Sequence, residues 1–272
     1  MKSTYRINLS LPFTFGLMLV FAGGCKTSNE SVAETKTEEA DSAHIQGDGF
    51  VQIFDGKTLD GWEGDTTYWR VENGNLIGEV TPKTLLKANT FIIWRGGTTE
   101  DFEMKADFRI AEAGNSGINY RSEEVTGVAH ALRGYQADID GRNNYTGQNY
   151  EERGRTTLAY RGEKVIVNTQ DNATNPESFK STVKNNAWLK REVTGSLGSA
   201  DSLKTIIKSK DWNTCRILVK GNRLQHFIND VLMSDVTDND EVNRKNTGLL
   251  GVQVHVGPPM TVEYKNILLK KL

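Results

Sequence analysis

The chain has 272 residues, with 33 basic and 35 acidic side chains that give a formal net charge of -2 at pH 7. Basic and acidic residues are interspersed, so no basic patch of the kind that neutralises nucleic-acid phosphates is expected. The length fits one large β domain or two small ones, and nucleic acid is excluded as an expected partner.

Residues 1–24 are predicted to be an export signal. Lys2 and Arg6 give a positive start, and the apolar stretch that follows is too short and too interrupted for a membrane span. Small residues directly precede Cys25, a pattern that resembles a bacterial lipoprotein signal whose cysteine is acylated after cleavage. The prediction is an exported cell-envelope lipoprotein, periplasmic or at the outer membrane, that meets the membrane only through its lipid anchor. The alternative is an ordinary secreted protein cleaved near Ala22.

Residues 25–48 are predicted to be a flexible acidic linker, because Ser, Thr, Glu and Ala dominate and large apolar side chains are nearly absent. The folded domain is expected over residues 49–272. With Cys25 set aside, Cys215 has no cysteine to form an intrachain disulfide with. It lies in an alternating apolar stretch, which favours a buried inert thiol over a nucleophile.

Short strands separated by turn signals follow one another along the domain. Apolar and charged residues alternate throughout 102–110, which predicts a strand with one core face and one wet face. Asn73-Gly74 and Gly221-Asn222 each indicate a tight hairpin. Helical periodicity is weak, although residues 151–155 or 172–180 could hold a helical turn. About a dozen such strands, without helices to cover a parallel sheet, predict an all-β, antiparallel two-sheet sandwich.

Three distant segments alternate polar with apolar residues: 115–121, 134–140 and 251–256. Successive side chains of a strand point to opposite faces, so Gln136, Asp138 and Asp140 share one face. If the three segments lie in one sheet with their apolar faces inward, the other face is a polar binding surface.

The other two segments add to that surface by the same rule. Gln253 and His255 point together, away from three valines, and Asn119 points with Arg121. The surface would then hold carboxylates, amides, a guanidinium and an imidazole within reach of one ligand. Histidine suits proton transfer near neutrality.

Two connections are long for a compact domain. Residues 141–155 are unusually polar, and long loops of this kind tend to be functional. Residues 168–202 form a second insertion, in which Phe179, Trp188 and Leu189 are the core candidates. No role is predicted for that insertion.

Seven short motifs in a fixed order carry a family resemblance: FDGKTLDGW (54–62), WRVENGNL (69–76), GNSGI (114–118), DWN (211–213), IND (228–230), GLLGVQVH (248–255) and VEYKNI (262–267). With them the chain resembles the 3-keto-disaccharide hydrolase domain family over residues 50–272. The resemblance implies a jelly roll like those of concanavalin-like lectins and glucanases, preceded here by the signal peptide and linker. One strand departs from the family pattern, because Gln136 replaces a carboxylate and Asp138 an amide.

The resemblance implies a hydrolase or lyase that cleaves glycosides whose sugar is oxidised at C3. The ketone acidifies the C2 hydrogen, a base removes it, the glycosidic oxygen leaves and water adds back. Such a site needs a base, an acid for the leaving oxygen, and a positive group or metal for the enolate oxygen. The alternative is a non-catalytic carbohydrate-binding module of the cell envelope, since lectins share this fold. A conventional glucanase is less favoured, because its paired glutamates are not visible.

Asp138 or His255 is the predicted base. Arg121, or a divalent cation such as Ca²⁺, Mg²⁺, Mn²⁺ or Zn²⁺, is the predicted partner of the enolate oxygen, and Asp138, Asp140 and His255 are a candidate ligand set for that cation. Arg121 could instead form a surface ion pair with Glu123 or Glu124, and Asp140 could begin a turn. The candidate sugar-binding residues are Asn115, Ser116, Asn119, Gln136 and Gln253.

Overall fold

Two β-sheets packed face to face form the domain in this computed structural model, which describes residues 45–272. The predicted signal peptide, Cys25 and most of the predicted linker lie outside the described residues, and they stay predictions. Within residues 45–272, no helix combines the length and apolar character needed to cross a membrane.

Within residues 45–272, the larger sheet has eleven strands, and strands are numbered in chain order across both sheets. They are β1 (Ile45–Gln46), β2 (Phe50–Gln52), β4 (Trp69–Glu72), β5 (Asn75–Val80), β7 (Phe102–Ile110), β12 (Glu163–Val167), β13 (Arg191–Ser196), β14 (Asn213–Lys220), β15 (Arg223–Ile228), β16 (Val231–Asp238) and β18 (Met260–Lys271). The order is β1-β2-β18-β7-β14-β15-β16-β12-β13, with β5 also paired to β18 and β4 paired to β5.

The smaller sheet has seven strands and carries all three polar segments. They are β3 (Trp62–Glu63), β6 (Thr90–Thr99), β8 (Asn115–Glu124), β9 (Leu132–Asp140), β10 (Asn149–Glu152), β11 (Thr156–Ala159) and β17 (Gly248–Val254). The order is β11-β10-β9-β8-β17-β6-β3. Strand pairs among the described residues are antiparallel apart from β12 with β16. The predicted two-sheet antiparallel sandwich is confirmed.

The core lies between the two sheets and is built from alternate residues of their strands. On β7, Phe102 and Phe108 are buried while the charged residues between the apolar positions are only half-buried, as the alternation predicts. Tyr135 and Ile139 on β9 face them from the smaller sheet. Cys215 is buried and unpaired, and burial raises the pKa of its thiol to about 12. It is an inert core thiol.

Two short helices, α1 (Pro176–Asn185) and α2 (Ala200–Lys204), interrupt the strands. The side chain of Asn175 accepts a hydrogen bond from the backbone N–H of Glu177 at the start of α1, and proline occupies the first helical position. A helix therefore does form near 172–180, shifted toward the C-terminus.

The predicted helical turn at residues 151–155 is wrong. Glu151 and Glu152 end β10, where they pair with Tyr135 and Gly134 of β9. Strand pairing to β9 sends the two glutamate side chains to opposite faces of the sheet. The remaining residues, 153–155, form a turn that leads into β11.

The insertion 168–202 is docked onto the sandwich through Trp188, which is 1% exposed. Its backbone N–H donates to the carbonyl of Thr157 at 3.0 Å, and its indole N–H donates to the carbonyl of Asn168 at 2.8 Å. Phe179 packs against the core, but Leu189 is 46% exposed and is not a core residue. The insertion thus holds α1 beside the smaller sheet.

Candidate active site

A polar pocket opens on the face of the smaller sheet that is turned away from the larger sheet. This inner pocket has a volume of about 160 Å³. A second, outer pocket of about 350 Å³ adjoins it and shares Asn115, Tyr145 and His255 with it. The lining residues of the inner pocket are Asn115, Gln136, Asp138, Tyr145, Gln148, Tyr150, Glu152, Asn186 and His255.

Two side-chain amides hold the carboxylate of Asp138 in the inner pocket. Asp138 is 7% exposed. One oxygen accepts from the Gln136 amide at 2.6 Å, and the other accepts a short bond from the Gln148 amide. Burial raises the pKa of Asp138 to about 7, and the two amides oppose the rise while Glu152 and Asp140 add to it. A carboxylate with such a pKa can take up a proton near neutrality.

Glu152 and His255 supply two more titratable groups to the same pocket. Glu152 accepts from the side chain of Asn89 at 3.1 Å, and Arg153 approaches it at 3.8 Å. Burial raises the pKa of Glu152, against the effect of Asn89, Arg153 and His255. The His255 Nδ1 lies 2.5 Å from the carbonyl of Val256, which assigns a proton to Nδ1 and leaves Nε2 for a ligand.

The amide of Gln136 connects the pocket to residues beneath it. Its oxygen accepts from the Gln253 amide at 3.3 Å. Gly117 on the neighbouring strand makes room, because a Cβ there would lie 2.5 Å from Cγ of Gln136. Asn119 and Gln253 are fully buried and do not line the pocket. Within residues 45–272, neither side-chain polar atom of Asn119 has a hydrogen-bond partner.

The structure therefore brings together four of the predicted site residues, Asn115, Gln136, Asp138 and His255. It places Asn119 and Gln253 in the layer beneath them. His255 follows the end of β17, and Val256 after it is 39% exposed, so the predicted face of three buried valines holds only two.

The structure contradicts the prediction that Arg121 points with Asn119 toward the pocket face. A bulge in β8 gives Arg121 a φ of 45°, and this turns its side chain away from the pocket face. The buried guanidinium donates to the carbonyls of Glu100, Gly221 and Lys245 and to the side chain of Asp101. Arg121 ties loops of the two sheets together, and it is not the predicted ion pair with Glu123 or Glu124 either.

The structure also contradicts the predicted sugar-binding role of Ser116, which does not line the inner pocket. Its hydroxyl lies in the core, 2.5 Å from the carbonyl of Gln253 and 2.8 Å from the hydroxyl of Tyr264. The strand rule itself explains this, because Ser116 has the parity of Ile118 and Tyr120, which are core residues. Ser116 cannot contact a ligand in the pocket.

The candidate cation set of Asp138, Asp140 and His255 does not fit a metal. The Asp140 carboxylate accepts from the backbone N–H groups of Asn144, Tyr145 and Thr146 at 2.8 to 3.0 Å, so it anchors the loop after β9. Both oxygens of Asp138 are engaged by amides. Residues 45–272 contain no group of three His, Cys, Asp or Glu side chains arranged to hold a metal ion.

Sequence reasoning missed five lining residues: Tyr145, Gln148, Tyr150, Glu152 and Asn186. The first four lie in the polar stretch 141–155, and Tyr150 and Glu152 alternate along β10 in the same way as Gln136 and Asp138 along β9. That alternation was the available signal. Asn186 caps the C-terminus of α1 in a left-handed conformation with φ 51°, and nothing in the sequence places it at the pocket.

The two packed antiparallel sheets define the fold class of this domain, a concanavalin-like jelly roll. A crystal structure of a candidate glycosyl hydrolase from Parabacteroides distasonis has the same fold, with a TM-score of 0.50 and 18% identity over 82% of this chain and 94% of that one. At that identity the likeness concerns the fold alone.

The family assignment comes from the sequence. The family profile of the 3-keto-alpha-glucoside-1,2-lyase-like domain matches residues 49–270, and this chain belongs to that family. A 3-keto-disaccharide hydrolase of Bacteroides thetaiotaomicron is 33% identical over 107 residues, which is 34% of this chain and 34% of that protein. The match spans about a third of that relative.

Proposed function

We propose that this protein cleaves glycosides whose sugar carries a ketone at C3, by removal of the C2 proton, elimination of the glycosidic oxygen and addition of water. The observation that carries the proposal is Asp138, a buried carboxylate with a pKa raised to about 7 in a pocket the size of one sugar ring. The net reaction consumes one water and yields a 3-keto sugar and an alcohol.

Asp138 is the proposed base. Its raised pKa lets it stay ionised just above neutrality and still accept the C2 proton readily. The amides of Gln136 and Gln148 fix both of its oxygens, so the carboxylate needs little reorganisation when the proton arrives. His255, the other candidate base, lies nearer the mouth, where both pockets meet.

Glu152 and His255 are the proposed source of the proton for the leaving oxygen. Burial raises the pKa of Glu152 and so favours its protonated, donating form. The electron pair of the broken C1–O bond then takes up that proton, and the leaving alcohol is released neutral. When water then adds at C1, the group that protonated the leaving oxygen accepts a proton from that water. Protonated Asp138 gives a proton back to C2, and both groups return to their starting states.

The developing enolate oxygen needs a donor, and no arginine or lysine among residues 45–272 lines the inner pocket. Tyr150 is the proposed donor. Burial, with Glu152 and Asp138 nearby, raises the pKa of its phenol, so the hydroxyl remains protonated. A neutral hydroxyl donor in a partly enclosed site can stabilise an oxyanion by hydrogen bonding.

The outer pocket is the proposed place for the leaving group. It adjoins the inner pocket at Asn115, Tyr145 and His255, and its volume suits a second sugar ring or an aglycone of similar size. Tyr145 is 44% exposed and offers an aromatic face for stacking.

The test compares a 3-keto-glucoside with the matching unoxidised glucoside. We expect the wild type to release the aglycone from the oxidised substrate only, and Asp138→Asn to lose about 10²–10⁴-fold in rate. Asp60→Asn, at an exposed carboxylate outside both pockets, is the control and should match wild type. Binding without release would favour the carbohydrate-binding alternative, and equal cleavage of both sugars would contradict the proposed chemistry.

A further inference from the structure

A histidine in the core touches the back of the candidate active site. His226 lies on β15 of the larger sheet and is fully buried. Its Nδ1 lies 3.2 Å from the carbonyl of Gln148, on the smaller sheet, and its Nε2 lies 2.9 Å from the hydroxyl of Tyr120. Asn149 donates to the same hydroxyl at 3.4 Å. The imidazole therefore bridges the two sheets behind the pocket.

The bonding pattern assigns the proton of the ring. A carbonyl only accepts, so Nδ1 carries the proton and donates to Gln148, while Nε2 accepts from Tyr120. Burial lowers the pKa of His226 to about 4, so the ring is neutral at ordinary pH. It is a fixed donor that does not titrate over the pH range in which Asp138 does.

Both the backbone carbonyl and the side-chain amide of Gln148 form hydrogen bonds. Its carbonyl accepts from His226 and, at 3.3 Å, from the backbone N–H of Asp138. Its side-chain amide donates to the carboxylate of Asp138. We propose that His226 is a positioning residue, which fixes Gln148 from the core and thereby sets the hydrogen bond between the Gln148 amide and Asp138. Its catalytic consequence depends on the proposed function, but the positioning itself does not.

Other groups also act on Asp138, and substitution of His226 leaves them in place. Glu152 on β10 and Asp140 on β9 repel its negative charge, and Tyr150 and His255 line the same pocket. The Gln148 amide is the group that communicates with His226. Loss of its hydrogen bond removes a stabilising partner of the carboxylate, so the pKa of Asp138 should rise.

The experiment is a ¹³C NMR titration of the aspartate carboxyl carbons in the folded protein, with the Asp138 signal identified by its absence from Asp138→Asn. We expect His226→Leu to raise the midpoint of the Asp138 titration by roughly 1 pH unit. His226→Asn, whose amide nitrogen can take the place of Nδ1, should restore a midpoint close to wild type. A structural role alone would lower stability in both variants without separating their midpoints.

If His226→Leu does not fold, Tyr120→Phe carries the test, because it removes the hydroxyl that holds Nε2 and keeps a ring of the same shape. We expect a smaller shift in the same direction. An unchanged Asp138 midpoint in folded His226→Leu, or in folded Tyr120→Phe where that variant carries the test, would overturn the inference. The titration needs no substrate, so failure of the proposed function appears separately, as a wild-type protein inactive on 3-keto-glucosides. In active protein, the acid limb of the pH–rate profile should move with the midpoint.

Discussion

The two faces of the smaller sheet differ in whether their buried carboxylates form ion pairs with a cation. On the core face, Arg155 is fully buried and forms ion pairs with Glu151 at 2.8 Å, Asp238 at 2.7 Å and Asp240 at 3.2 Å. On the pocket face, the side-chain partners of Asp138 within residues 45–272 are amides. Arg155 therefore pairs with the buried carboxylates of the core face, and this network is structural. In the part of the chain that the structure describes, no lysine or arginine lines the inner pocket to pair with Asp138 in the same way.

Two consecutive glutamates on β10 show how one strand serves both faces. Glu151 and Glu152 are 4% and 7% exposed, so burial does not distinguish them. Glu151 receives two hydrogen bonds from the guanidinium of Arg155, and Glu152 faces His255 in the pocket. What separates a structural carboxylate from a candidate functional one here is the presence of a buried cation, and the pocket keeps its carboxylate pKa values high by lacking one.

Removal of the buried cation should have the largest effect. Arg155→Met leaves Glu151, Asp238 and Asp240 buried without their partner, and we expect a loss of about 3–5 kcal/mol in the free energy of unfolding. Arg95→Met is the control, because Arg95 pairs with Glu63 and Glu124 at the surface and should cost about 0–1 kcal/mol. Chemical denaturation measures both, and similar losses would show that the network adds no more than surface pairs do.

The raised pKa of Asp138 should change how the free energy of unfolding depends on pH. The pKa of Asp138 is about 7 in the folded protein and near 3.8 when unfolded, so the folded state binds the extra proton between these values. Stability from this group is therefore lost as the pH rises from 4 to 7. Relative to Asp138→Asn, the wild type should lose roughly 2–4 kcal/mol between pH 4 and pH 8. Parallel stability curves for the two proteins would contradict the raised pKa.

The two neighbouring glutamates offer a smaller but more specific comparison. Glu152→Gln should slow cleavage of a 3-keto-glucoside about 10–100-fold, because it removes a proton donor, and leave stability near wild type. Glu151→Gln should cost about 1–3 kcal/mol in stability, because it weakens a buried pair, and leave turnover per folded molecule nearly unchanged. Cleavage rates and chemical denaturation curves, measured on both variants, test these two expectations. An exchange of the two phenotypes would mean that the faces are assigned wrongly.

Much of the fold and part of the site follow from strand alternation in the sequence. Alternation on β9 and β17 placed Gln136, Asp138 and His255 on one side, because regular pairing preserves the two-residue period. It failed at Arg121, where a bulge breaks that period, and a bulge is set by pairing with distant strands.

Other parts of the site depend on contacts between distant residues. Asn186 reaches the pocket only because Trp188 docks the insertion onto the sandwich. The carboxylates Asp138 and Asp238 look alike in sequence, and only the position of Arg155 separates them. Tertiary placement of one cation thus decides which of the two carboxylates is held in a buried ion pair.

The most direct measurement follows the C2 hydrogen of a 3-keto-glucoside incubated in D₂O. We expect the wild type to place deuterium at C2 in the released sugar, and Asp138→Asn to place none above the rate without enzyme. Aglycone release with the original hydrogen retained at C2, or wild-type exchange by Asp138→Asn, would contradict the assignment of Asp138 as the base.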